Sequence, residues 1–195
     1  MNTLTKAPYE FFPIYLNFSA ELLGGETISS FTLTCVNTRN SLNTISSIVD
    51  SSEISGVKIK VMVKDGGIGE QHKVTAKIST DAGNIYEKDV LLLIGNDDSS
   101  EFEKQPKEQF LILNDFKNDL GVGETLWTKA VTATRIDDEA DFTSAIITMS
   151  VFSGTRVIVG IQAGNDEEYY RIAIQVVTNG GNKFQKNIIM IVNEL

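Results

Sequence analysis

The chain has 195 residues, of which 17 are lysine or arginine and 26 are aspartate or glutamate, for a formal net charge of -9. This acidic balance argues against a broad cationic surface, so we expect no nucleic acid as a partner. The single cysteine, Cys35, cannot form an intrachain disulfide and suits a reducing cytoplasm. The longest apolar runs, Val90–Ile94 and Ile188–Val192, are far too short to cross a bilayer, and Met1–Pro13 lacks the apolar stretch of a signal peptide. We therefore expect no membrane partner either.

In the first half of the chain, apolar residues alternate with period two, which places them on one face of a strand. The clearest case is Val57–Lys64, where Ile59 and three valines point one way and the lysines point the other. A second alternating segment carries Val74, Ala76 and Ile78. Further strands are predicted near Ile14–Leu22, Thr27–Val36, Ile45–Asp50 and Val90–Ile94.

Clusters of glycine, asparagine and aspartate mark the turns between these strands. The segment Lys64–Gly69 separates the strands that contain Val57 and Val74, and it predicts a hairpin. The segment Asp81–Asn84 predicts a second tight turn, which leads into the final strand. The last three strands are therefore expected to be antiparallel neighbours.

The second half of the chain repeats the first at one constant offset. The triplet Gly25-Glu26-Thr27 recurs as Gly123-Glu124-Thr125, 98 residues later. Identical residues at this offset include the pairs Pro8 and Pro106, Glu10 and Glu108, Phe12 and Phe110, Phe18 and Phe116, and Leu22 and Leu120. Second-copy strands are accordingly predicted near Ile112–Leu120, Thr125–Thr134 and Ala145–Ser150. The pattern indicates a duplicated domain, with residues 1–96 as the first copy, 97–104 as a polar linker and 105–195 as the second copy.

Each copy thus contains six or seven short strands, turn signals about every ten residues and almost no helical periodicity, which is typical of a β-sandwich. The predicted fold class is all-β, with two tandem immunoglobulin-like antiparallel β-sandwiches related by the internal repeat. The cysteine pair and the core tryptophan of antibody domains are absent. The likeness is therefore one of architecture.

The final strand of each copy is apolar on both of its faces. One face enters the core, while the other needs cover as well. A neighbouring chain or domain could supply this cover, which gives four candidate interface residues: Leu91, Leu93, Ile189 and Ile191. The alternative is that the N-terminal segment of the same sandwich, with Phe11, Phe12 and Ile14, folds across the strand.

Few residues could carry catalytic chemistry. His72 is the one histidine, and its replacement by Tyr170 in the second copy indicates a surface position rather than a general base. Cys35 corresponds to Ala133 and follows the apolar parity of its strand, so it is interpreted as a small core residue. We therefore expect no enzyme, no catalytic or metal-binding residues and no cofactor.

Two further features leave alternatives open. The acidic clusters Asp137–Asp141 and Asp166–Glu168 could offer oxygen ligands to calcium, but their spacing matches no calcium loop and the first copy does not preserve them. Trp127, which corresponds to Ser29, could be an interface residue, a platform for carbohydrate or a packing residue.

The segment Phe18–Ser30, the Ser55-Gly56 strand, the Gly66-Gly67 loop and Thr75–Lys88 resemble, in this order, a family of small immunoglobulin-like virion proteins of phages, the fibre-tail adaptors. The second copy keeps Gly123-Glu124-Thr125 of this pattern. The resemblance implies a non-enzymatic structural protein of a bacteriophage virion, at the neck, the tail or the fibre attachment, assembled in the host cytoplasm. It also implies a homo-oligomer that contacts portal, connector, tail or fibre proteins. The alternative is a bacterial surface or carbohydrate-binding tandem immunoglobulin-like module.

Overall fold

A computed structural model describes residues 2–95 and 100–194 of the chain. The chain divides into two compact units, Met1–Asn96 and Asp97–Leu195, which we call unit 1 and unit 2. None of the helices within the described residues is both long and apolar enough to span a bilayer.

Unit 1 is built almost entirely of strands. Its elements are β1 (Asn2–Lys6), β2 (Phe12–Asn17), β3 (Ile28–Asn37), α1 (Ile45–Ile48), β4 (Val49–Ser55), β5 (Lys58–Val63), β6 (Gln71–Thr80) and β7 (Ile85–Ile94). One sheet has the strand order β1-β7-β6-β3 and the other has the order β2-β5-β4. The strand β1 runs parallel to β7, while the other neighbours are antiparallel.

Unit 2 repeats this arrangement strand for strand. Its elements are β8 (Ser100–Lys104), β9 (Phe110–Asp115), β10 (Leu126–Arg135), α2 (Thr143–Ile146), β11 (Ile147–Ser153), β12 (Arg156–Ile161), β13 (Glu168–Thr178) and β14 (Lys183–Val192). The two sheets have the orders β8-β14-β13-β10 and β9-β12-β11. Four strands thus face three across each core, which is an immunoglobulin-like sandwich. The predicted fold class, two such sandwiches in tandem, is confirmed.

The core of each unit consists of the inward-facing residues of both sheets. In unit 1, Phe18, Ile59 and Val74 are fully shielded from solvent, and Phe116 and Ile172 are shielded in the same way in unit 2. Burying a side chain of this size contributes about 1.5–3 kcal/mol to stability. Cys35 is also fully buried, so its interpretation as a core residue is confirmed.

The predicted hairpin between the strands at Val57 and Val74 is wrong. The strand β5 pairs with β2 and β4, whereas β6 pairs with β3 and β7 in the opposite sheet. The loop between β5 and β6 therefore crosses from one sheet to the other. The alternating apolar residues around Ile59 and around Val74 show that each strand turns one face to a core. They do not show to which of the two sheets each strand belongs. The second predicted turn does form the β6–β7 hairpin.

Two predicted strands end or begin elsewhere. The strand predicted near Ile14–Leu22 is β2, and it stops at Asn17. The chain then turns back, with the Leu22 N–H donating to the Phe18 carbonyl at 3.1 Å. The segment predicted as a strand from Ile45 begins with the single helical turn α1, and the strand starts only at Val49. The second copy has the matching helical turn α2. In both copies the isoleucine that ends the turn, Ile48 or Ile146, is buried, and this burial favours the turn in spite of the strand-like sequence.

Part of the predicted linker is a strand. Residues Ser100–Lys104 form β8, which pairs in parallel with β14 from Ile188 to Val192. The other linker positions, 97–99, lie outside the described residues. The acidic, polar sequence of this segment suggested solvent exposure, but backbone pairing with β14 depends on partners that are distant in the sequence.

Candidate interaction surfaces

The outer face of β7 carries the predicted interface residues of unit 1. Leu91 lies between Thr3 of β1 and Lys73 of β6, and Leu93 is placed in the same way two residues further along. Both leucines are half-buried. They form a narrow apolar strip whose lateral neighbours on the sheet are polar.

The outer face of β14 carries the matching strip in unit 2. Ile189 lies between Glu101 of β8 and Arg171 of β13, and Ile191 lies beside Tyr169. Both isoleucines are half-buried, and Tyr169 is exposed. The strip in unit 2 is therefore extended sideways by an aromatic ring, which the strip in unit 1 lacks.

The alternative cover for these strips, a segment with Phe11, Phe12 and Ile14 folded across the final strand, is wrong. The strand β2, which contains Phe12 and Ile14, belongs to the opposite sheet and pairs with β5. Ile14 is buried in the core, and Phe12 packs against it. The first strand of each unit lies beside the final strand and not over it.

Trp127 sits at a β-bulge on β10, an edge strand of its sheet. The pairing of β10 with β13 shifts between Leu126 and Thr128, which leaves Trp127 as the extra residue. Its side chain is 71% exposed. Ser29 occupies the same bulge in unit 1, but its hydroxyl donates to the Ser79 carbonyl at 2.9 Å. Unit 2 therefore presents an aromatic side chain where unit 1 has a small, locally bonded one.

Within unit 2, the structure does not combine Trp127 and the strip on β14 into one site. Trp127 lies near the Thr178 end of β13, whereas Ile189 pairs with Arg171 towards the opposite end of that strand. The strip on β14 and Trp127 are thus two separate surface features of unit 2.

The prediction that His72 lies on the surface is wrong. Only 1% of its surface is exposed, because it shares the inward parity of Val74 on β6. Its Nδ1 lies 2.9 Å from the Thr44 hydroxyl and its Nε2 lies 3.1 Å from a Glu70 carboxylate oxygen. Tyr170, its counterpart, is also fully buried. Both residues close one end of the core.

The Gly-Glu-Thr triplet holds two loops together in each unit. One oxygen of Glu26 accepts hydrogen bonds from the Thr80 hydroxyl and the Asn84 amide, and the other accepts from the Leu23 N–H. Glu124 makes the equivalent bonds in unit 2. In unit 1 these bonds tie the loop before β3 to the turn of the β6–β7 hairpin. In unit 2 they tie the loop before β10 to the turn of the β13–β14 hairpin. The recurrence of the motif in both copies therefore has a structural cause.

A buried lysine near the start of each unit was missed in the sequence. The ammonium group of Lys6 donates to the carbonyls of Ala7 at 2.8 Å and Asp65 at 2.6 Å, and Lys104 makes equivalent bonds in unit 2. Burial lowers the pKa of Lys6 to about 8, against an opposing effect of Glu10. The sequence signal for this buried position is that a lysine recurs at the repeat offset, as Lys6 and Lys104. Each lysine fastens the first strand to the loop that crosses between sheets.

The acidic clusters have partners within the protein. Both carboxylate oxygens of Asp138 accept hydrogen bonds from Arg135, the shorter at 2.6 Å. Asp141 accepts from the Thr143 N–H at 2.8 Å and precedes α2. Across residues 2–95 and 100–194, no group of three or more His, Cys, Asp or Glu side chains is arranged to hold a metal ion.

Asp115 should make unit 2 sensitive to acid. Hydrogen bonds from the Thr155 hydroxyl, Arg156 and the Lys117 N–H lower the pKa of its carboxyl group to about 2. Because the pKa is depressed in the folded state, the ionised group stabilises unit 2 above about pH 4, and this contribution is lost as the pH falls towards 2. Unit 1 has Asn17 at this position, so Asp115→Asn is compatible with the fold.

We expect the melting temperature of unit 2 in Asp115→Asn to fall less between about pH 4 and 2 than in the unchanged protein. Scanning calorimetry over this range measures the difference. Asp138, whose pKa is also lowered to about 2 by Arg135, keeps titrating in both proteins and provides a common background. Parallel curves for the two proteins would contradict the assignment.

A third apolar surface lies on the three-stranded sheet of unit 2, outside the predicted residues. Leu111, Leu113, Met149 and Val151 are exposed there. The sequence contains a signal for this surface. At the repeat offset, the charged residues Lys60 and Glu53 of the first copy are replaced by the apolar residues Ile158 and Val151.

Comparison with known proteins gives one family. Residues 6–93, most of unit 1, match the family model described as podophage GP4 fiber-tail adaptor protein gp77. The resemblance found in the sequence is thereby confirmed for this part of the chain. No match was found among curated proteins.

Solved structures of tandem immunoglobulin domains are also similar. The titin domains Z1Z2 in complex with telethonin are 11% identical, with a TM-score of 0.34, over 100% of this chain and 94% of that chain. The N-terminal Ig1-2 module of the Drosophila receptor protein tyrosine phosphatase DLAR is 11% identical, with a TM-score of 0.32, over 99% and 95% of the two chains.

Proposed function

Because residues 6–93 match a family of podophage fibre-tail adaptors, we propose that this chain is a non-enzymatic structural protein of a bacteriophage virion. It acts as an adaptor at the neck, the tail or the fibre attachment. Its partners are other virion proteins, such as portal, connector, tail or fibre proteins, and further copies of itself. It assembles in the host cytoplasm and resides in the particle. The family match is the observation that carries this proposal.

The burial of the histidine and the cysteine supports a role in assembly. The one histidine of the chain, His72, is sealed in the core between Thr44 and Glu70. The one cysteine, Cys35, is fully buried, and burial raises the pKa of its thiol. Neither side chain is accessible to a substrate, which supports a role that depends on binding.

The outer strips of the final strands supply two contact areas for virion partners. Leu91 and Leu93 offer an apolar centre with polar flanks in unit 1, and Ile189 and Ile191 do so in unit 2. A buried apolar centre with a polar rim is the usual anatomy of a protein interface. Trp127 adds an exposed aromatic side chain, a residue type enriched at interfaces.

The test is the protein content of purified particles of the phage that encodes the chain. We expect mass spectrometry to find the chain in stoichiometric amounts, and we expect particles made without it to lack fibres. A phage that encodes Leu91→Lys with Leu93→Lys should incorporate less of the chain, while the matched change Ile85→Lys, exposed at the other end of β7, should not reduce incorporation. If the chain is absent from particles, the proposal fails, and carbohydrate binding at Trp127 becomes the alternative to test.

A further inference from the structure

The strand β9 forms an open edge of the three-stranded sheet of unit 2. It is the last strand in the order β11-β12-β9, and within residues 2–95 and 100–194 no strand pairs with its other side. In constant-type immunoglobulin domains, the corresponding sheet has a fourth strand, the first of the domain. Here the first strand of the unit, β8, pairs with β14 in the opposite sheet instead.

The hydrogen bonds at the end of β9 show which backbone groups point towards the open side. The Phe116 N–H donates to the Thr155 carbonyl at 2.9 Å, on the side of β12. Because backbone groups alternate in direction along an antiparallel strand, the N–H and C=O groups of Leu111 and Leu113 point away from β12. The carbonyl of Asp115 has the same direction, and it accepts a hydrogen bond from the Lys186 ammonium group at 2.7 Å.

The open edge of β9 is regular and exposed. Its pairing with β12 runs without a register shift, and it contains no charged residue before Asp115 at its end. The other edge strands of unit 2 carry features that discourage the addition of a strand: β10 and β11 have irregular registers, and β8 has two glutamates. Leu111 and Leu113 are 56% and 58% exposed, so this edge is accessible from solvent.

The same edge is blocked in unit 1. There the Phe18 N–H donates to the Val57 carbonyl at 2.9 Å, so the outward positions of β2 are Pro13 and Tyr15. Proline has no N–H, and a proline whose nitrogen faces the open side of an edge strand prevents pairing there. Leu111 occupies this position in unit 2. The fold therefore accepts a blocked edge, and unit 2 has kept its edge competent for pairing.

The chemistry of this edge selects an extended, basic segment of another protein. Outward N–H and C=O groups on an edge strand are matched by the backbone of an added strand. The exposed side chains of Leu111 and Leu113 favour apolar residues at alternate positions of that strand. Residues 97–195 contain 16 acidic and 9 basic side chains, so unit 2 repels another copy of itself and attracts a positively charged partner.

We propose that the open edge of β9 binds an extended, positively charged segment of a different protein, which adds to the three-stranded sheet of unit 2 as a fourth strand. The backbone of this segment pairs with Leu111 and Leu113, and its apolar residues extend the exposed surface of these leucines. The inference deepens the proposed function, on which it rests only for the identity of the partner as a virion protein. It assigns a site that differs from the strips on β7 and β14.

The test is a titration of the purified chain with a synthetic peptide of about nine residues that alternates valine and lysine. We expect the amide NMR signals of Leu111 and Leu113 to shift, and hydrogen exchange at these amides to slow, as the added strand pairs with them. Leu111→Pro removes the outward N–H in the way that Pro13 does in unit 1, so the dissociation constant should rise about tenfold or more. Circular dichroism checks that the variant is folded.

The matched control is Leu111→Val, which keeps both the N–H and an apolar side chain, and its dissociation constant should stay within about threefold of that of the unchanged protein. A peptide that alternates valine and glutamate should bind at least about tenfold more weakly than the valine–lysine peptide, because only its charge is reversed. A valine–lysine peptide that is N-methylated at every second residue, on the side that faces β9, should not bind. This last comparison needs no variant of the protein.

Three outcomes would overturn the inference. The first is that millimolar valine–lysine peptide leaves the Leu111 and Leu113 amide signals unchanged. The second is equal binding by Leu111→Pro and the unchanged protein, and the third is equal binding of the basic and the acidic peptide. All three are measured on the purified chain and do not bear on its presence in particles. Failure of this inference and failure of the proposed function are therefore distinguishable.

Discussion

Phe116→Ala should unfold unit 2 at temperatures at which unit 1 remains folded. The Phe116 side chain is completely buried, the ammonium group of Lys186 lies 5.0 Å from its ring centroid, and its N–H donates to the Thr155 carbonyl at 2.9 Å. Removal of a buried phenylalanine ring destabilises a domain by about 3–5 kcal/mol, since it loses transfer free energy and leaves a cavity. In a domain of this size, that loss corresponds to a fall in melting temperature of more than about 10 °C.

Scanning calorimetry measures the melting temperatures of the two units. Amide signals in NMR spectra follow the unfolding of each unit separately. The unchanged protein should show two transitions, or one that the variant separates into two. The repeat provides the matched variant, because Phe18 is equally buried in unit 1, with Lys88 at 5.5 Å from its ring centroid. Phe18→Ala should shift only the transition of unit 1. If either variant moves both transitions together, the two units do not fold independently.

Gly164→Ala should destabilise unit 2 by about 2–4 kcal/mol, because two separate costs add at this position. The residue has a φ of +105°, in the left-handed region that side chains disfavour. An added Cβ would also lie 2.7 Å from the Val192 Cγ2 in the core. Gly66 in unit 1 repeats both features, with a φ of +103° and a Cβ position 2.8 Å from the Ile94 Cγ1. Urea unfolding followed by fluorescence of Trp127 reports on unit 2 directly.

Gly181→Ala separates the two costs. Gly181 has a φ of +84°, but an added Cβ would have no atom within 4 Å. This control should therefore show only the backbone cost, about 1–2 kcal/mol. Equal losses in Gly164→Ala and Gly181→Ala would show that contact with Val192 contributes nothing, contrary to the close packing of the crossing loop against the core.

The alternation of residues along the strands predicted much of the burial. Ile59, Val61 and Val63 are all fully buried, as their spacing indicated. The same rule places His72 inside, because it lies two residues before Val74 on β6. The error at His72 came from treating its replacement by tyrosine as evidence of exposure. Two polar-tipped rings can occupy the same buried position when hydrogen-bond partners are present at the end of the core.

The interface residues show the limit of reading a single strand. The apolar pattern of Val90–Ile94 indicated that both faces of the final strand need cover, and the outer residues are indeed half-buried. The third apolar surface, on the three-stranded sheet of unit 2, was not predicted, because it depends on the pairing of β9 with the β11–β12 hairpin, which is distant from β9 in sequence. Leu113, Ile158 and Val151 become neighbours only when β9, β12 and β11 pair.

Strand periodicity and a fixed repeat offset predicted the class of fold, the duplication and most of the core, because both are local or linear properties of the chain. The folded chain was needed to show how most strands pair, that β8 belongs to a sheet of unit 2, and which outward side chains share a face. These features depend mostly on hydrogen bonds and packing between segments that are distant in sequence, and the pattern along a single strand does not specify its partners. For that reason, the surfaces proposed for assembly emerge from the pairing of the strands.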